Sequence, residues 1–135
     1  MALSFHPSQR MVLMCDFNTG FQPPEMVKIR PVVVISPKPR RGAQLCIVTP
    51  LSATRPNPVE KYHHMLSPDS LPGKFAAKET WAKCDIINTV SLSRLDRVLI
   101  GKDEKGKRKY VSKKILEDDF QKIQKCIANA LGFSI

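Results

Sequence analysis

Residues 28–41 read KIRPVVVISPKPRR. Val32, Val33, Val34 and Ile35 are consecutive and β-branched, which predicts a strand over residues 32–36 buried on both faces. Pro37 and Pro39 close it. At its entrance stands Arg30, whose backbone is restricted to extended geometry by Pro31. Gln44 to Thr49 (QLCIVT) predict a partner strand, so the segment forms a hairpin with Arg40, Arg41 and Gly42 at its tip. A rigidly mounted arginine at the mouth of a buried strand calls for a reason.

On the N-terminal side, MVLMCDF (residues 11–17) predicts a strand with Leu13, Cys15 and Phe17 on one face. NTGFQPPEMVKI (residues 18–29) is a loop, broken by Gly20 and the Pro23–Pro24 pair. On the C-terminal side, residues 50–80 are polar and proline-rich, a loop with one short strand around Tyr62–Leu66. TWAKCDIINTVSLSRL (residues 80–95) then alternates. Ala82, Cys84, Ile86, Val90 and Leu92 face one way; Trp81, Lys83, Asp85, Thr89 and Ser91 face the other. This predicts a strand that packs a core with one side and offers polar chemistry on the other. Arg97–Ile100 and Lys109–Val111 flank a charged turn with Gly106 at its tip. Leu116, Phe120, Ile123, Ile127 and Leu131 recur at helical spacing, and Gly132 is a stop signal. The expected fold is mainly β with helical additions: a partly closed antiparallel barrel with one C-terminal helix, in a single domain spanning residues 1–135.

At 135 residues, 42% hydrophobic and 25% charged, the composition is that of an ordinary globular chain. The longest apolar run is too short to span a bilayer, and residues 1–10 lack a signal-peptide core, so the expectation is a cytoplasmic protein without a membrane partner. Cys15, Cys46, Cys84 and Cys126 form no Cys-x-x-Cys pair, so neither a zinc site nor disulfide chemistry is expected. The formal net charge is +10. From Met26 to Val59 there is no acidic residue, while Lys28, Arg30, Lys38, Arg40, Arg41 and Arg55 all fall in that window. A one-signed stretch of that length is the footprint of a polyanion-binding face.

Three segments, CDFNTGFQPPEMVKIRPVVVISP (15–37), CIVTPLSAT (46–54) and WAKCDIINTVSLSRL (81–95), resemble the successive motifs of the MazF/PemK family of type II toxin–antitoxin endoribonucleases. The likeness runs from about Met11 to Gly132. It implies an SH3-like barrel, a homodimer, a cognate antitoxin and, as substrate, single-stranded RNA such as mRNA. It also implies cleavage without metal or cofactor that leaves a 2′,3′-cyclic phosphate and a 5′-hydroxyl.

Such cleavage needs a base for the 2′-hydroxyl, a cation for the charge building on phosphorus, and an acid for the leaving oxygen. Arg30 suits the second task, because a guanidinium stays charged and donates paired hydrogen bonds to phosphate oxygens. The resemblance makes Ser52 the hydroxyl beside the scissile phosphate, where relatives carry threonine; Thr54 is an alternative. It makes Lys83 and Asp85, which flank Cys84, candidates for acid and base, with a structural ion pair as the other reading. Some relatives carry histidine six residues before the arginine; here that position is Pro24. Glu25 matches a common acidic position and is a candidate to orient Arg30 or act as base. His63 and His64 are further proton-transfer candidates. Lys28, Arg40, Arg41 and Arg55 are expected to hold RNA phosphates. Phe21 and Trp81 are candidates to stack on bases, Trp81 equally a core or interface anchor. Two other functions fit the fold: a non-catalytic nucleic-acid-binding barrel, and a toxin of the same architecture aimed at DNA gyrase.

Overall fold

A computed structural model describes residues 3, 5–38, 44–111 and 113–133. The chain runs through β1 (Met11–Asp16), β2 (Ile29–Val34), β3 (Leu45–Ser52), β4 (His63–Met65), β5 (Trp81–Lys83), β6 (Asn88–Ser91), β7 (Leu95–Asp96), β8 (Val98–Lys102), β9 (Arg108–Val111), β10 (Lys113–Lys114) and α1 (Glu117–Leu131). Single 3-10 turns cover Pro68–Ser70, Gly73–Ala77 and Leu92–Arg94.

Among the described residues the main sheet has the order β10-β1-β2-β3-β5-β4, with β6 also paired to β3 and β7 to β1; β8 and β9 form a separate ribbon. The result is a curled half-barrel closed on one side by α1. Strand periodicity explains why it has two cores. Leu13 and Cys15 of β1, with Val32 and Val34 of β2 and Val48 of β3, fill the inside of the curl. Val12, Val33 and Leu51 point the other way and pack with Ile115, Phe120 and Ile123 beneath α1. A β-branched run is what a strand between two cores requires, and each fully buried aliphatic side chain contributes about 1.5–3 kcal/mol.

The expected hairpin is present, β2 pairing antiparallel with β3 from Val32–Pro50 to Val34–Val48. Its basic tip, with Arg40 and Arg41, lies outside the described residues. The charged ribbon is present too, with Gly106 at φ +79° in its turn. In α1 the stripe buries Phe120 and Ile123, Glu117, Asp118 and Asp119 complement the positive helix start, and Gly132 ends it at φ 80°. Arg10 anchors the lead-in to α1, its Nε and Nη2 both donating to the Ile115 carbonyl at 3.0 and 2.6 Å.

One expectation is corrected. Residues 80–95 are two strands, β5 and β6, separated by a turn after Lys83. Ala82, Cys84, Ile86, Val90 and Leu92 are apolar on either side of the turn, with only Asn88 breaking the series, but Ala82 and Cys84 enter the core under α1 while Val90 and Leu92 enter the curl. The polar faces therefore part company: Lys83 does not share a face with Thr89 and Ser91.

Candidate active site

The strand register places the functional candidates. Ser52 lies opposite Trp81, which lies opposite Met65, and Lys83 lies opposite His63. Paired residues of an antiparallel sheet project to one face, as do residues two apart. Ser52, Trp81, Lys83 and His63 therefore share one face of β3–β5–β4, while Leu51, Ala82 and His64 take the other. Arg30 is opposite Cys15 and alternates with Val32, which is opposite Pro50. Two residues past that last pair, Arg30 and Ser52 fall on the same face, where the curl opens. Strand spacing puts Lys83 roughly 8 Å from Ser52 between Cα atoms, within a lysine's reach.

Arg30 is half-buried, and its Nε donates to the Val27 carbonyl at 3.1 Å. Among the described residues its two terminal nitrogens meet no acceptor, so the fork is held by its stem and open at its tip. The Thr54 N–H donates to Ser52 Oγ at 3.1 Å. That bond occupies an acceptor site and leaves the Ser52 hydrogen to be donated elsewhere. Arg30 and Ser52 also line a cleft of about 270 Å³ at the end of the sheet, with Lys74, Phe75, Lys78 and Thr80 on its far wall. Sequence reasoning missed these four. The two lysines sit in a stretch that reads as plain loop, and only the 3-10 turn delivers them to the cleft.

Asp85 follows β5 and comes within 3.9 Å of His63 Nε2. The Glu60 N–H donates to His63 Nδ1 at 3.0 Å, so the neutral ring carries its proton on Nε2, toward Asp85. Lys83, His63 and Asp85 thus form one group, in which the His63 side chain is only 10% exposed and packs edge-on against the Tyr62 ring at 4.6 Å. His64 points the other way. Its Nε2 donates to Asp119 Oδ1 at 2.8 Å, and Asp119 Oδ2 accepts from the Ser67 N–H and the Ser70 hydroxyl. Burial pushes the Asp119 carboxyl up, but the bonds from Ser70, His64 and Ser67 outweigh it and hold the group below the ordinary carboxylate range.

Trp81 is only 7% exposed, so its ring face is covered rather than offered. Its Nε1 donates to Glu79 at 2.6 Å, and Arg55 lies over the ring at 5.6 Å while bridging the same carboxylate at 2.8 Å. The Arg55 hydrogen bond, with Trp81 second, pulls the Glu79 carboxyl below its usual range. Arg55 is therefore engaged by Glu79. Phe21 packs edge-on against Phe17 at 5.1 Å with Arg94 over it at 4.9 Å. Glu25 and Lys28 are exposed, and no ion pair joins Glu25 to Arg30 among the described residues. Lys28 adopts φ +71° while its carbonyl accepts the Phe17 N–H at 2.8 Å, a constrained position two residues before Arg30. The thiols are not nucleophiles in waiting: burial pushes Cys15 up to about 12 and raises Cys46, Cys84 and Cys126. No group of three potential metal ligands occurs among the described residues, and no helix among them is long and apolar enough to cross a membrane.

The chain overlays an endoribonuclease from a mycobacterial species, solved with its cognate antitoxin, at a TM-score of 0.66 and 18% identity, covering 96% of this chain and 99% of that one. It overlays MazF from Deinococcus radiodurans at 0.66 and 14%, covering 96% and 100%. Toxin MazF-mt6 of Mycobacterium tuberculosis gives 0.64 and 14%, covering 93% and 100%. In sequence, the uncharacterized protein YifN of Escherichia coli is 33% identical over 116 residues, 72% of this chain and 76% of YifN. The model of the PemK-like, MazF-like toxins of type II toxin–antitoxin systems matches residues 8–131. The chain belongs to that family.

Proposed function

We propose that this protein is the toxin of a type II toxin–antitoxin pair and a metal-independent endoribonuclease that cuts single-stranded RNA, mRNA included. The observation that carries the reading is the shared face of Arg30, Ser52 and Lys83, with His63 and Asp85 beside it. The scissile phosphate sits between Arg30 and Ser52. The 2′-oxygen attacks phosphorus, its proton passes to a base, and the bond to the 5′-oxygen breaks as that oxygen gains a proton. Products are a 2′,3′-cyclic phosphate and a 5′-hydroxyl. Arg30 meets the extra negative charge with a fork already held in place, so little reorganisation is needed during reaction. The Ser52 hydroxyl donates to a phosphate oxygen. Lys83, His63 and Asp85 carry the proton traffic; Glu25, exposed and without an ion pair to Arg30 among the described residues, does not orient the guanidinium. Lys74 and Lys78 hold flanking phosphates. By the same family reasoning the working form is a homodimer whose RNA face a cognate antitoxin covers.

The test is incubation of purified protein with mixed-sequence RNA in EDTA, followed by end analysis. Fragments that accept a 5′-phosphate from polynucleotide kinase without prior phosphatase, and that carry cyclic phosphates, are the expected result. RNA binding without scission would replace the enzyme by a nucleic-acid-binding module, and toxicity that survives loss of Arg30, Ser52 and Asp85 would point to another target.

A further inference from the structure

The charged ribbon β8–β9 plays no part in the chemistry above, yet it walls the larger cleft of the two, about 480 Å³. Arg94, Arg97, Arg108 and Tyr110 line this cleft together with two carboxylates, Asp16 and Asp96. Met14 and Ile29 line both this cleft and the one at Arg30 and Ser52, so the two adjoin across that apolar sill. The ribbon also reaches the far wall of the second cleft: Ile100 lies so near Gly73 that a Cβ there would meet it at 3.4 Å. Lys74 is the next residue.

The lining has a composition that selects among ligands. Arg97 lies over the Tyr110 ring at 4.6 Å, a cation–π contact. Arg94 is held by a bond from Nη1 to the Asp16 carbonyl at 2.9 Å. Asp16 Oδ1 accepts the Asn18 N–H, and Asp96 Oδ1 accepts the Arg97 N–H, both at 2.8 Å. A bare polyphosphate would be repelled by the two carboxylates. A nucleotide suits all three features at once. Its phosphate meets an arginine, its ring stacks on a planar cation or phenol, and its amino groups donate to a carboxylate.

We propose that this cleft is a second RNA subsite, which binds one nucleotide of the strand some distance from the cut and so sets which side of the cut the enzyme grips. The proposal rests on the RNA-cleaving reading above. It assigns the β8–β9 ribbon the task of extending the substrate track from Ser52 and Arg30 over Met14–Ile29 to Arg97 and Tyr110.

The experiment compares wild type with Arg97→Ala/Arg108→Ala, and separately with Tyr110→Leu, on two oligonucleotides: one that spans only the cut site and one extended by several nucleotides on either side. Wild type should cut the extended RNA about tenfold more efficiently, the gain appearing in KM, and the variants should lose that gain while cutting the short RNA at the wild-type rate. The salt dependence of binding to the long RNA should also flatten in the double arginine variant. Retention of the short-substrate rate shows that the variants are folded. If the variants keep the full advantage of the long substrate, the subsite is disproved and the ribonuclease reading stands. If wild type neither cuts nor binds either RNA, both readings fall together.

Discussion

Two adjacent histidines divide this molecule. His63 takes the strand face of Lys83 and comes within 3.9 Å of Asp85, while His64 takes the opposite face and donates to buried Asp119. Around His64 each polar partner is matched: Asp119 is 4% exposed and accepts from Ser70, Ser67 and His64, tying α1 to the 3-10 turn and to β4. Around Arg30 and Ser52 only the stems are tied, to Val27 and Thr54, and the donating ends are left over. The difference is the signature of two jobs. A buried polar cluster must satisfy itself, because each orphaned group costs about 1–3 kcal/mol. A site for a charged ligand must keep its donors in reserve and hold them still. Strand parity alone assigns the two jobs to neighbouring residues.

That contrast can be broken in order of expected effect. Arg30→Ala should lower the cleavage rate by about 10²–10³-fold, with RNA affinity falling only modestly and the melting temperature unmoved. Asp119→Ala should do the reverse. It orphans three donors, so stability should fall by about 3 kcal/mol, read by urea unfolding, while turnover below the melting range stays near wild type. The same carboxylate has a pH consequence. Its folded pKa lies below the ordinary range, so its contribution is complete above that range and is lost as pH falls through the folded value. Unfolding measured from neutral pH downward should therefore show a steeper acid loss in wild type than in Asp119→Ala. Ser52→Ala should cost roughly tenfold in rate, and Ser52→Thr, which keeps the hydroxyl, should cost little. Glu79→Gln should have the smallest effect. It releases Arg55 from its ion pair and should tighten RNA binding about twofold at low salt, as measured by anisotropy in an inactive background.

The frame of the fold was legible because it is written in local patterns. Val32–Ile35 announced a doubly covered strand, the 116–131 spacing announced the helix, and Gly106 and Gly132 adopt the positive φ their turns need. The turn after Lys83 was not legible, since apolar residues recur at even positions from Ala82 to Leu92 with only Asn88 missing, and periodicity does not say which of two cores a residue enters. Trp81 was placed on the correct face, but its cover by Arg55 and Glu79 comes from a loop whose path one sequence does not reveal. Arg30 and Ser52 stood out through rigid or turn-forming neighbours. Lys74, Lys78 and the alliance of His63 with Asp85 did not, because each depends on chain returns over long separations.

The most direct test of Arg30 as the cation that meets the charge on phosphorus is the rate of RNA cleavage in EDTA by wild type and by Arg30→Ala, measured under single-turnover conditions beside their melting curves. The rate should fall by about two orders of magnitude or more in a variant that melts with wild type. A variant that cuts as fast as wild type would contradict that role.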